Sequence, residues 1–154
     1  MPATRKLKDR DVFIYHGQIY IPNTYTAGAL GTQVLASLRD RKKILGIRCP
    51  ACNRVYVPAR STCKDCFAQL RELVEVSDRG TLSTYTVVYE PNVTQPVAPP
   101  IAYGVIQLDG ADNGFLHLLG GADPADLRIG MRVQAVFRQE RTGSILDIQY
   151  FKPL

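Results

Sequence analysis

Four cysteines arranged as two close pairs constrain the fold of this 154-residue chain more than any other feature. They are Cys49, Cys52, Cys63 and Cys66, so two residues separate the members of each pair and ten residues separate the pairs. Two thiolates three positions apart can hold one ion from a tight turn, and two facing turns complete a tetrahedron. The spacing predicts a structural metal site, with zinc as the leading ion, that folds a small ribbon over residues 44–69.

Iron in a rubredoxin-like site is the alternative to zinc, because iron also binds four thiolates. Two redox-active dithiols are a further alternative, but neither turn has the strand–helix context of a thioredoxin-type site. Four thiolates leave no open coordination position, so we expect a structural site rather than a catalytic one. Arg48, Arg54, Arg60 and Lys64 surround the cysteines, as expected if they balance the negative charge of a metal–thiolate centre.

The composition indicates a folded chain, with 45% hydrophobic and 21% charged residues. No apolar run approaches the roughly 18 residues of a membrane span. The charged N-terminus is not followed by the apolar segment of a secretory signal. We therefore expect a cytoplasmic protein, and in a reducing compartment four cysteines favour metal over disulfides.

Hydrophobic periodicity predicts a mainly β protein in three parts. Residues 1–43 hold a basic arm, a hairpin at 12–22 and an amphipathic helix at 28–42. The zinc ribbon follows at 44–69, and an OB-fold domain occupies 70–154.

The C-terminal part alternates with a period near two, which is typical of strands. The expected strands are 71–76, 80–90, 101–108, 114–119, 131–138 and 144–151. A short helix or turn is expected within 122–130, with Asp123 as its N-cap before Pro124. About five main strands with one helical insertion before the fourth predict a five-stranded Greek-key barrel of the OB type. A β-sandwich is the alternative.

The connection at 90–100 is long and rich in proline. Long loops inside compact domains are uncommon and often functional. Because proline limits the entropy lost on ordering, such a loop suits a segment that docks on a partner. The prolines are Pro91, Pro96, Pro99 and Pro100. A solvated, variable loop is the alternative interpretation.

The sequence does not supply the groups that an independent enzyme needs. All four cysteines are assigned to the metal, His16 lies in the hairpin turn, and His117 lies on a predicted strand where packing is the more common role. No glycine-rich phosphate loop or Gly-x-Ser-x-Gly motif is present. We therefore expect a protein that is not catalytic alone.

Four segments, in this order, resemble a known family: ILGIRCPACNRVYVPARSTCKDC, VEVSDRGTLSTYTVVYEP, PPIAYGVIQLDG and LRIGMRVQAVF. They are similar to the OB-fold acyl-CoA-associated proteins that carry an N-terminal rubredoxin-like zinc ribbon. The resemblance covers roughly residues 30–152 and implies that the four cysteines bind zinc. The segment at 12–28 does not match the family pattern and suggests a subgroup such as the benzoylsuccinyl-CoA thiolase small subunits.

The resemblance also implies a role. Such proteins are non-catalytic accessory or scaffold subunits in hetero-oligomers with thiolase-superfamily enzymes, namely thiolases, acyltransferases, synthases or aldolases. The partner supplies the catalytic groups and binds most of the acyl-CoA, while the accessory subunit helps to form or stabilise the acyl-CoA site.

The phosphates of CoA prefer arginine and lysine, which makes a basic cluster after the helix a candidate contact. Its members are Arg39, Arg41, Lys42, Lys43 and Arg48. A solvated helix end, where cations also favour the helix dipole, is the alternative.

Two other functions fit a ribbon joined to an OB fold. Single-stranded nucleic-acid binding would use stacking aromatics such as Tyr85, Tyr89, Tyr103 and Phe137. However, residues 70–154 contain 7 Lys and Arg against 10 Asp and Glu, which disfavours nucleic acid as the partner. A rubredoxin-like electron carrier is the third possibility and would require iron.

Overall fold

A computed structural model describes residue 17 and residues 21–154 of the chain. The basic arm at 1–10 and the body of the hairpin expected at 12–22, with His16 at its turn, lie outside the described residues. The described part is mainly β with one α-helix, as predicted. Within it, no helix is both long and apolar enough to cross a membrane.

Helix α1 spans Gly28–Arg41, which confirms the helix predicted from the spacing of its leucines. It ends because Lys42 adopts a left-handed backbone conformation (φ 56°), from which its amide donates back to Leu38 O at 3.2 Å. Leu38 is almost fully buried, so this face of the helix packs against the rest of the molecule.

The metal-binding region is built on a three-stranded antiparallel sheet. Its strands are β1 (Ile44–Arg48), β2 (Val55–Tyr56) and β3 (Glu72–Val76), in the order β2-β1-β3. The strand expected at 71–76 is therefore present, but it pairs with β1 and not with the barrel.

The remaining five strands form a closed barrel in the order β4-β5-β6-β8-β7. These strands are β4 (Arg79–Val88), β5 (Ile101–Leu108), β6 (Gly114–Leu119), β7 (Arg132–Phe137) and β8 (Ile148–Pro153). Strand β4 pairs with both β5 and β7, and β6 runs parallel to β8. This connectivity is that of an OB-type barrel, so the β-sandwich alternative was wrong.

Two short 3-10 helices lie in the connections between strands of the barrel, one between β6 and β7 and one between β7 and β8. The first, Pro124–Asp126, is capped by Asp123, whose side chain accepts from the Ala125 amide at 2.8 Å, as the sequence predicted. The second, Ile145–Asp147, occupies the start of the strand that was expected at 144–151. That expectation was wrong by four residues, because Ser144 caps a helical turn before β8 begins.

One hydrophobic core joins the helix, the ribbon and the barrel. Leu38 of α1, Ile44 of β1 and Val57 after β2 pack in the same cluster as Phe115 and Ile148 of the barrel. The ribbon therefore packs directly against the barrel through this shared core. A second, smaller cluster lies around the cysteines.

Candidate metal centre

The four cysteine sulfurs converge on one point. All four Sγ atoms lie within 4.8 Å of one another, with 3.5 Å between Cys49 and Cys66 and 3.6 Å between Cys52 and Cys63. A tetrahedron of thiolates about 2.3 Å from zinc has sulfur–sulfur separations of about 3.8 Å. The predicted cluster is thus confirmed, and its residues fit a structural zinc ion.

Each cysteine pair is held in a turn with the same hydrogen-bond pattern. The Cys49 amide donates to Arg54 O at 2.8 Å, and the Cys63 amide donates to Ala68 O at 2.9 Å. Each turn places one residue in the left-handed region, Asn53 at φ 59° and Phe67 at φ 58°. Asparagine tolerates this conformation well, whereas it is unusual for phenylalanine.

The cluster has a buried side and a solvent side. Cys49 and Cys63 are buried, whereas Cys52 and Cys66 face solvent. Ile47, Tyr56 and Leu70 pack with the two buried cysteines in the smaller core cluster. We therefore expect metal binding to be coupled to folding of the ribbon, because two of the ligands are themselves core residues.

Hydrogen bonds favour the thiolate form of Cys63. A hydrogen bond from the Tyr56 hydroxyl, with further backbone amide hydrogen bonds from Cys66 and Asp65, lowers the pKa of Cys63 to about 6. The thiolate is the form that binds metal, so this position is prepared to be a ligand near neutral pH.

The basic cluster proposed for CoA phosphates is only partly brought together. Arg39, Arg41, Lys42 and Lys43 lie at the end of α1, whereas Arg48 lies at the far end of β1. Carboxylates pair with three of these cations: Asp40 with Arg39 at 2.7 Å, Glu75 with Lys43 at 2.5 Å, and Glu72 with Arg48 at 3.8 Å. These ion pairs reduce the positive charge that the cluster can offer to a phosphate.

The proline-rich loop at 89–100 follows β4 and carries exposed apolar side chains. Tyr89 is 70% exposed and Val93 is 99% exposed, and Val97 is also exposed. Pro91, Pro96, Pro99 and Pro100 lie in this loop, so the structure places all four at one end of the β4–β5 hairpin.

A surface that the sequence analysis missed continues from this loop along the barrel. Interior residues alternate with outward-facing ones along each strand. Cross-strand pairing aligns the outward-facing residues of β4, β5 and β6 into two rows. The rows are Thr84–Val105–Leu116 and Thr86–Tyr103–Leu118, which we call the outer face. Leu118 is covered and only 5% exposed, so the other five residues form the accessible part of this face. No charged residue belongs to it, and the lack of polar alternation in β5 (IAYGVIQL) was the available signal.

His117 is a core residue, which agrees with the packing role expected for it. Its ring lies 5.6 Å from the rings of both Phe115 and Phe151, and Nε2 is 3.2 Å from Ile145 O. Burial lowers its pKa, so the ring stays neutral inside the barrel at physiological pH.

Two family models match consecutive parts of the chain. The ChsH2 rubredoxin-like zinc ribbon domain matches residues 36–71, and the ChsH2 C-terminal OB-fold domain matches residues 73–138. Together the two matches cover more than half of the chain, and they meet at the first residue of β3.

Relatives and solved structures agree with these matches. A DUF35 domain-containing scaffold protein of Methanocaldococcus jannaschii is 29% identical over 122 residues, which are 76% of this chain and 86% of the relative. The structure of an Ltp2-ChsH2(DUF35) aldolase aligns with a TM-score of 0.63 and 20% identity, over 86% of this chain and 98% of that one. A DUF35-family protein of Sulfolobus solfataricus aligns with a TM-score of 0.60 and 24% identity, over 82% and 84% of the two chains.

Proposed function

We propose a function from the family to which this chain belongs, the proteins that join a ChsH2-type rubredoxin-like zinc ribbon to a ChsH2-type OB-fold domain. In this proposal the chain is a non-catalytic accessory subunit. It docks on a thiolase-superfamily acyl-CoA enzyme and helps to form or stabilise the acyl-CoA site. The relative described as a scaffold protein and the similar chain in an aldolase structure support this class of role.

The chemistry of the described residues supports a role without catalysis. The four cysteines fit one metal ion and are closed to substrate, and His117 is buried inside the barrel. An acyl-CoA enzyme of the thiolase type needs an accessible nucleophile with an acid or base beside it. In residues 21–154 the structure brings no such pair together, so the partner would supply both groups.

The observation that carries the docking proposal is the uncharged outer face and its continuity with the loop at 89–100. Leu116, at the β6 edge of this face, is 64% exposed, and the exposed Tyr89 and Val93 lie in the loop that directly follows β4. Extended apolar patches on soluble proteins mark interaction sites. The partner proposed for this surface is the thiolase-like subunit, whose contact surface should be equally poor in charge.

A matched pair of substitutions tests the docking surface. Leu116→Asp introduces a charge at the exposed leucine of the outer face, and Leu154→Asp does so at a leucine that directly follows β8 and is 63% exposed. Each variant is co-expressed with a thiolase-superfamily enzyme from the same organism. We expect at least a tenfold weaker complex for Leu116→Asp and an unchanged complex for Leu154→Asp. Equal retention of the partner by both variants would contradict the proposed surface.

A smaller part of the proposal concerns the nucleotide end of acyl-CoA. A groove of about 520 Å³ beside the basic cluster is lined by Asp40 and Glu75 as well as Arg41, so its mixed charge disfavours phosphate inside it. Lys42, which follows the helix, is the better contact. We expect Lys42→Glu to weaken acyl-CoA binding by the complex, whereas Lys152→Glu on β8 should not, as measured by calorimetric titration.

The outer face also bears on the nucleic-acid alternative. Single-strand binding by an OB fold combines stacking aromatics with a positively charged groove. Tyr103 is present on the face, but its neighbours in the two rows are threonine, valine and leucine. This surface therefore favours a protein partner over a polyanion.

A further inference from the structure

The hydroxyl of Tyr56 is buried beside the metal-binding sulfurs. Tyr56 is fully buried, and its hydroxyl oxygen lies 3.1 Å from Cys63 Sγ and 2.8 Å from Asp65 Oδ2. A metal-bound thiolate only accepts hydrogen bonds, and a phenol has one proton to donate. We infer that Tyr56 is a positioning residue of the metal centre, whose hydroxyl donates to the Cys63 thiolate and thereby slows release of the ion.

Asp65 competes with the sulfur for the same proton, and its own surroundings decide the competition. Arg54 Nη1 donates to Asp65 Oδ2 at 2.9 Å, and Lys64 Nζ donates to Oδ1 at 2.8 Å. These two cations draw charge from the carboxylate and make it a weaker acceptor, although they leave some of its lone pairs free. The phenol donates to Asp65 Oδ2 at 2.8 Å and shares the same proton with Cys63 Sγ at 3.1 Å, in a three-centre hydrogen bond. Cys63 Sγ also receives the Asp65 amide at 3.4 Å.

Rigid elements fix the position of the phenol. Tyr56 lies in β2 and pairs with Ile47 of β1, so its backbone cannot follow movements of the surface loops. The Arg60 guanidinium lies 5.0 Å from the centre of its ring, a distance suited to a cation–π contact. Arg54, Arg60 and Lys64 therefore act through Tyr56 and Asp65, which is more specific than the general charge compensation expected from the sequence.

Zinc release from the full chain to an excess of a coloured chelator tests the inference. Hydrogen-bonding partners of metal ligands affect metal affinity by about 10- to 100-fold. We expect Tyr56→Phe to release zinc about tenfold faster than the unsubstituted chain. Tyr85→Phe is the matched control, because the Tyr85 hydroxyl donates to Leu127 O at 3.0 Å in the barrel, away from the metal. It should release zinc at the unsubstituted rate.

Cobalt in place of zinc separates a hydrogen bond to sulfur from a general loosening of the ribbon. The sulfur-to-cobalt charge-transfer band reports on electron density at the thiolates. It should shift in Tyr56→Phe and stay in place in Tyr85→Phe, while the tetrahedral d–d bands persist in both. Release at the unsubstituted rate, or faster release with an unmoved charge-transfer band, would overturn the inference.

A double-mutant cycle gives a second test that does not depend on Tyr56→Phe alone. Arg54 is a half-exposed side chain, so Arg54→Gln should fold. It should speed zinc release several-fold when Tyr56 is present and have little effect in Tyr56→Phe, because the arginine acts through the phenol. Equal effects in the two backgrounds would show that Arg54 acts on the thiolates directly and would contradict the inference. If Tyr56→Phe does not fold, the charge-transfer band of Arg54→Gln decides: a shift supports the inference and an unmoved band overturns it.

Discussion

Asp147 is a buried carboxylate that organises the loop before the last strand of the barrel. Its Oδ1 accepts from the Thr142 amide at 3.0 Å, and its Oδ2 accepts from the amides of Gly143 and Ser144 at 2.8 and 3.2 Å. Burial alone would raise the pKa of Asp147, but the three backbone hydrogen bonds outweigh burial and hold it below the usual value. The ionised carboxylate is therefore the form of Asp147 that accepts these hydrogen bonds and stabilises the loop.

Replacing this carboxylate is expected to destabilise the barrel in a pH-dependent way. Hydrogen bonds to a charged group contribute about 1.5–3 kcal/mol, so Asp147→Asn should lower the free energy of unfolding by about 2 kcal/mol at pH 7. Because the folded-state pKa is depressed, this contribution is complete above the unfolded-state pKa of about 3.9 and is lost as pH falls through the folded-state value.

Urea unfolding at pH 7 and at pH 3 measures this effect. The difference in unfolding free energy between Asp147→Asn and the unsubstituted chain should be smaller at pH 3 than at pH 7. Loss of zinc in acid affects both proteins equally, so it does not contribute to this difference. Asp126→Asn, at an exposed aspartate of the other 3-10 helix, is the control and should change stability by less than about 0.5 kcal/mol. A deficit that is equal at both pH values would contradict the role given to the charge.

Among single residues, the metal ligands could be predicted from sequence and their supports could not. The Cys-x2-Cys spacing is a local pattern, so the sequence alone identifies the four ligands Cys49, Cys52, Cys63 and Cys66. The role of Tyr56 depends on a strand that brings its hydroxyl to Cys63, and the role of Asp147 depends on how residues 142–144 turn. Contacts of this kind are set by tertiary structure.

At the scale of elements, a clamp attaches the ribbon to the barrel. The turn between β5 and β6 lies against the outer edge of β2, where the Asp112 carboxylate accepts from the Val55 amide at 2.8 Å. The Asn113 side chain accepts from the Val57 amide at 2.8 Å and donates to Val57 O at 2.7 Å. Strand β2 thus completes its hydrogen bonding with groups from the barrel.

Removing the clamp should loosen the ribbon without unfolding the barrel. Asn113→Ala leaves the Val57 amide and carbonyl without these partners, so we expect a loss of about 1–3 kcal/mol in unfolding free energy. Hydrogen exchange at Val57 should quicken, whereas exchange in β7 should not. Asn92→Ala is the control, because Asn92 makes local bonds to Thr94 within the loop at 89–100. Equal protection of Val57 in both variants would show that the clamp has no energetic role.

The sequence predicts which strands exist better than it predicts which strands pair with one another. The strands at 101–108 and 114–119 were predicted with the bounds that the structure shows, because turn residues delimit them. The pairing of β3 with β1 was not foreseen, since periodicity carries no information about partners. The outer face was missed for the same reason: it exists only when the register aligns Leu116 with Val105 and Thr84.

At the scale of the whole molecule, metal should control the ribbon and leave the barrel largely folded. The smaller core cluster contains Cys49 and Cys63 as members, whereas the barrel closes through its own strand pairing. Chelation of zinc should therefore abolish exchange protection in β1 and β2 and retain most of it in β5 and β6. Cys63→Ser should reproduce this pattern without chelator, and loss of partner binding should accompany it.

Cooperative loss of the whole structure on chelation would contradict this division, and full protection of the ribbon without metal would contradict the structural role of the ion. Both outcomes can be read from one exchange experiment with and without chelator. Because Leu38 of α1 and Ile44 of β1 pack in the same core, we expect chelation also to reduce exchange protection in part of α1.

The central claim is that the uncharged outer face and the loop at 89–100 form the docking surface of an accessory subunit. The most direct measurement is hydrogen exchange of the chain alone and mixed with a thiolase-superfamily enzyme from the same organism. The account predicts a stable complex in which residues 84–105 and 116–118 gain protection, while exchange of β7 is unchanged. A chain that stays alone in the mixture, or a complex whose new protection lies elsewhere, would contradict it.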